Sequence, residues 1–143
     1  MITAASALDV LYGLFEAEEA SLFRFMRQGN PYLTRATVET RHRVEAMADT
    51  SLRHAAQLAR LIESLGGTIR LSPVHPENQY LAFLSLQFLI PKLIQAKRQT
   101  IERYQNALQA MRGADPQILN LLNTHLAQLR EDLTELEAAR PHQ

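Results

Sequence analysis

Cysteine is absent from this 143-residue chain, which excludes disulfides, iron–sulfur clusters and thiolate metal sites. Glycine is scarce, at five residues, and none lies in a phosphate-cradling loop or a nucleophile elbow. No charge of one sign dominates: 15 basic and 15 acidic residues are interspersed. That balance leaves no footprint for nucleic acid or an anionic membrane surface. Lysine is nearly missing among the basic residues, occurring only at Lys92 and Lys97. Long hydrophobic runs are missing too. The longest, from Tyr80 to Ile94, is interrupted by Gln87 and Pro91 and falls short of a bilayer's thickness. The first residues, MITAASALDVLYGLF, carry no basic stretch and meet Glu16 early, so no signal peptide is expected. A soluble cytoplasmic protein is the expectation.

What remains is a helix-forming alphabet. Ala, Leu, Glu, Gln and Arg are abundant, and each costs little in a helix. The length suits one domain with a real core. The organising stretch is Glu45 to Gly67, where Met47, Ala55, Leu58, Ile62 and Leu65 repeat on one helical face and a glycine pair ends the pattern. Helices are expected over about 4–28, 31–65, 76–112 and 116–139. Thr3 or Ser6 can cap the first. Gly29-Asn30-Pro31 is a stop and restart, and Asp115-Pro116 repeats the cap-plus-proline start. The links on either side are short, and only Thr68 to His75 is long enough to cross from one end of a bundle to the other. The expected fold is all-α: an up-down four-helix bundle with one long crossover connection.

Polar residues on the inward faces carry the functional information. Helix one places Glu18 on its apolar stripe, and helix two places Ser51 and His54 there. Helix three repeats Ile90, Ile94, Lys97, Ile101, Tyr104, so Lys97 interrupts an apolar heptad. Helix four offers His125 one turn after Leu122.

This layout resembles the ferritin-like superfamily, in the rubrerythrin and bacterioferritin manner. Glu18 precedes Phe25 by seven residues, as the first-helix glutamate there precedes an aromatic. Ser51-Leu-Arg-His54 and Leu122-Asn-Thr-His125 stand where the family has Glu-x-x-His, and Lys97 precedes Tyr104 where a glutamate would. The resemblance implies a carboxylate-bridged di-iron site at Glu18, Ser51, His54, Lys97, Leu122 and His125. Only Glu18, His54 and His125 keep ligand chemistry. An ammonium beside a metal pair would oppose binding by about 4 kcal/mol at an effective dielectric near 20.

Two readings follow. The first is a non-catalytic ferritin-like bundle acting as an interaction or scaffold module. Its di-iron site is lost, no cofactor remains, and Lys97 pairs with Glu18 within a vestigial set completed by Ser51, His54, Leu122 and His125. The second is a metal-binding protein or oxidase with an atypical iron site made of Glu18, His54 and His125. Glu39-Thr-Arg-His42 is a literal Glu-x-x-His, but His42 falls on the outer side of helix two. The apolar excess of helix three, including Leu81, Leu84 and Phe88, points to a symmetric homodimer through that helix. Any other protein partner is unspecified.

Overall fold

The structure, a computed structural model, describes residues 3–21, 23, 38–69 and 86–139. Four helices are present among them: α1 (Ala4–Glu19), α2 (Val38–Ser64), α3 (Leu86–Ala110) and α4 (Pro116–Ala138). Among the described residues no strand occurs and no helix is long and apolar enough to cross a membrane.

The helix ends follow local chemistry. Thr3 caps α1 by accepting the Ser6 amide at 3.1 Å. Asp115 caps α4 by accepting the Gln117 amide at 2.8 Å, with Pro116 in the first turn. At the end of α2, Gly66 takes φ 90°. Its amide donates to the Glu63 carbonyl at 3.0 Å and that of Gly67 to the Ile62 carbonyl at 2.9 Å. This pair of bonds is a Schellman motif, and the left-handed residue it needs is supplied by glycine.

Helix α1 is shorter than the expected 4–28. It closes at Glu19, the Ala20 amide donates back to the Glu16 carbonyl at 2.9 Å, and Ser21 lies outside regular helix. Ser21 Oγ then accepts the Phe23 amide at 3.2 Å, and Phe23 is again helical. A serine side chain that captures a backbone amide competes with the helix and restarts it, as a cap does. Of the other expected bounds, 24–37 and 70–85 lie outside the described residues. The homodimer residues Leu81 and Leu84 fall there, and so does the side chain of Phe88.

Topology can be read from which ends meet. Tyr12 of α1 bonds Thr68 just past α2, whereas Glu18, later in α1, bonds His54, earlier in α2, so these two helices are antiparallel. Asp9 and Gly13 of α1 share a groove with Arg103 and Ala110 near the end of α3, so α1 and α3 are antiparallel as well. Helices α2 and α3 therefore run the same way, the arrangement that the expected crossover connection produces; the joining residues 70–85 lie outside the described ones. The start of α4 packs with the end of α3, where Met111, Ile118 and Leu122 share a cluster.

The core divides into two apolar clusters. One holds Leu11, Leu58, Ile62, Tyr104, Met111 and Leu122. The other holds Phe23, Val44, Met47, Leu89, Leu93 and Leu136. Of the buried polar side chains, Glu18, Glu19, Ser51, His54, Lys97 and Asp132 occupy positions along the chain between those two sets, and His125 lies within the first.

Candidate metal centre and its polar core

Glu18 anchors the site. Its carboxylate is 1% exposed and sits in the last turn of α1, just before the break at Ala20. His54 Nδ1–H donates to Glu18 Oε2 at 2.6 Å. Tyr104 Oη, from α3, lies 3.0 Å from the same oxygen and 3.0 Å from His125 Nδ1 of α4. The two imidazoles stack face to face, centroids 3.7 Å apart and planes 12° from parallel.

Proton accounting fixes most of this network. Burial lowers the His125 pKa from 6.5 to about 3, and the neighbouring His54 and Arg53 push the same way. The ring is neutral near pH 7 and carries one N–H. His125 Nε2 lies 2.7 Å from Gln57 Oε1, an acceptor, so the proton sits on Nε2 and Nδ1 is left with a lone pair facing the core. Tyr104 cannot ionise to relieve the arrangement. Burial first, then the charge and hydrogen bond of Glu18, raise its pKa. One phenolic proton thus serves two acceptors, the Glu18 carboxylate and His125 Nδ1.

Lys97 is 2% exposed, and its ion-pair partner is a correction to the expected Glu18. Nζ lies 3.8 Å from Asp132 Oδ2 of α4 and 4.1 Å from the centroid of the Phe23 ring. Glu18 is engaged at shorter range by His54 and Tyr104 and attracts Lys97 only as a more distant charge. Of the remaining expected residues, Ser51 is buried beside His54, and Leu122 is fully buried in the apolar cluster. His42 is exposed.

Two contributors, Asp132 and Gln57, escaped the sequence reading, and the role of a third was missed. Asp132 lies three residues after Leu129 and four before Leu136, squarely on the α4 stripe, so periodicity carried the signal. Gln57 lies one turn after His54. Tyr104 was visible as a spaced aromatic, but its bonds to two helices were not.

The family model of the ferritin-like domain matches residues 26–140. The chain belongs to the ferritin-like domain family. No curated protein and no solved structure matches it. The matched span contains His54, Lys97, Leu122 and His125, while Glu18 joins them through the three-dimensional structure.

The group this family implies is a carboxylate-bridged pair of iron ions, and the residues here do not fit it. Such a pair needs several carboxylates. Among the described residues the convergent donor set is Glu18, His54 and His125, with ligand atoms within 4.8 Å of one another; it has one carboxylate. Donor number and type match a single ion instead. Even then, two ligands ~2.0–2.1 Å from a tetrahedral ion stand roughly 3.3 Å apart, so an ion must part the 2.6 Å contact between His54 and Glu18.

Proposed function

We propose that this ferritin-like bundle works without a redox-active metal pair, as an interaction or scaffold module. Lys97 carries the reading. The residue at the third-helix ligand position is a buried lysine paired with Asp132, and the remaining carboxylate, Glu18, is satisfied by protein hydrogen bonds. Ser51 and Leu122 supply neither of the paired-motif glutamates. The polar core then serves to fix how four helices meet.

A second reading, a single bound ion at Glu18, His54 and His125, is favoured by one observation. Gln57 holds the proton of His125 on the outer nitrogen and leaves Nδ1 bare toward Glu18 and Tyr104. An outer hydrogen bond of this kind orients metal-binding histidines.

Metal analysis of the chain purified from medium supplemented with iron, manganese and zinc separates the possibilities. The scaffold reading expects no stoichiometric metal. One ion per chain, lost in His125→Ala, selects the second reading, and two ions per chain overturn both. The scaffold reading also expects that restoring carboxylates together, as Ser51→Glu, Lys97→Glu and Leu122→Glu, creates metal binding where the parent has none.

A further inference from the structure

Lys97 and Asp132 form an ion pair beside the network around Glu18. Asp132 Oδ1 accepts from Gln128 Nε2 at 3.0 Å. Its other oxygen, Oδ2, is buried and has no hydrogen-bond partner among the described residues. Oδ2 faces Lys97 Nζ at 3.8 Å, beyond the ~2.7–3.2 Å of an N–H···O bond. The separation leaves room for an oxygen held on a carbon attached to Nζ to reach Oδ2. On its outer side Asp132 lines a groove of about 480 Å³ between α2 and α4, shared with His42, Met47, Thr50 and Glu135. Asp132 therefore stands between a surface groove and the buried amine of Lys97, whose other side faces the Phe23 ring.

We propose that Lys97 is a covalent binding site for a small carbonyl compound, an aldehyde or an α-oxo acid, admitted by the α2–α4 groove and held as an iminium at Nζ. This goes beyond the scaffold reading by giving the core an organic ligand in place of metal. Lys97 passes a proton to Asp132, and the freed amine attacks the carbonyl carbon. A proton moves from nitrogen to oxygen to give the carbinolamine. Asp132 returns its proton to that hydroxyl, water leaves, and the nitrogen lone pair forms the C=N bond. The sum is ammonium plus carbonyl giving iminium plus water, with no oxidant or reductant. Burial favours the first transfer, since it lowers the Lys97 pKa and raises that of Asp132. Desolvated lysines are suited to this chemistry.

The chain itself supplies the control, because Lys92 is exposed on the same helix and no third lysine exists. The full chain is treated at pH 7 with acetaldehyde, and separately with pyruvate, in the presence of sodium cyanoborohydride. Alkylation is then mapped by peptide mass spectrometry. Burial lowers the Lys97 pKa and so raises its free-amine fraction, and Asp132 stands beside it to carry the proton, so Lys97 is expected to take the larger share of the label over Lys92. In denaturing urea the two rates should converge. Selective labelling by either probe supports the site, and the faster probe identifies its class. Labelling that favours Lys92 with both probes overturns it, as does a preference for Lys97 that survives denaturation.

Discussion

Removing Asp132 tests the energetics of the polar core most directly. In Asp132→Asn the shape is kept and the amide oxygen can still accept from Gln128, but the buried Lys97 loses the negative charge 3.8 Å away. At that distance and an effective dielectric of about 20 the attraction amounts to about 4 kcal/mol. Breaking a buried pair by removing one partner typically costs about 3–5 kcal/mol. A domain of this kind has only about 5–15 kcal/mol in total, so the variant should lose a large fraction of that margin. The companion Lys97→Met, Asp132→Leu should behave oppositely. For both groups burial outweighs the partner's attraction: the Lys97 pKa is lowered and that of Asp132 is raised, each with desolvation as the largest cause. The pair therefore stabilises each partner's charge without repaying the cost of burying both. Apolar replacement of such pairs is neutral or stabilising by about 1–4 kcal/mol.

Urea unfolding at pH 7, followed by far-ultraviolet circular dichroism, measures Asp132→Asn and the four corners of a cycle: the parent, Lys97→Met, Asp132→Leu and the double variant. The expected coupling between the two positions is about 3 kcal/mol or more. If Asp132→Asn costs under about 1 kcal/mol, the level of an exposed pair, or if the double variant is no more stable than the weaker single one, then Lys97 is not held as described.

Acid should destabilise the fold through His125. Its pKa is about 3 when folded against 6.5 when free, so its contribution is complete above pH 6.5 and is lost as pH falls toward 3, at up to about 1.4 kcal/mol per pH unit. Asp132, with a raised pKa, opposes this by holding its proton longer in the folded state, so the effect is read by difference: the loss of unfolding free energy from pH 7 to 4 should be smaller in His125→Gln than in the parent, and an equal loss in both would exclude a neutral buried His125. Gly67→Ala should cost about 1–3 kcal/mol by overpacking, because the added Cβ would stand 2.6 Å from Ile62 Cγ2, 2.7 Å from Tyr12 Oη and 2.9 Å from Leu8 Cδ2. Tyr12→Phe removes the hydroxyl that bonds both the carbonyl and the amide of Thr68, and chemical denaturation of the double variant should show less than additive loss, since both changes strike one contact. For the proposed homodimer, light scattering at micromolar concentration should give twice the single-chain mass, reduced to one chain by Leu84→Glu; a monomeric parent removes the proposal.

The fold was legible because its signals are local and repeated. The α2 stripe read from sequence, Val44, Met47, Ser51, His54, Ala55, Leu58 and Ile62, is buried at every position, and only its last member, Leu65 beside the glycine pair, is half-buried. The glycine pair ends that helix as its chemistry requires. The end of α1 was not legible, because Ser21 competes with the helix through a side-chain bond that composition does not advertise. Leu22 and Phe25 extend the apolar period across the break as though the helix continued.

The site was half legible for a related reason. A helical period says which side chains meet the core, and it placed Glu18, His54, Lys97 and His125 inside, where the structure buries them. It says nothing about depth along the bundle, which decides partners. Lys97 projects inward beside two carboxylates on different helices, Glu18 and Asp132, and both pull on its charge. Glu18 is already closed by two hydrogen bonds no longer than 3.0 Å. Asp132 keeps one oxygen unbonded. A buried cation settles against the anion whose acceptor remains free, because displacing existing hydrogen bonds would strand His54 and Tyr104 without partners in a medium that cannot rehydrate them. The partner was therefore chosen by the prior commitments of Glu18, and those depend on Tyr104 reaching from α3 to two other helices at once.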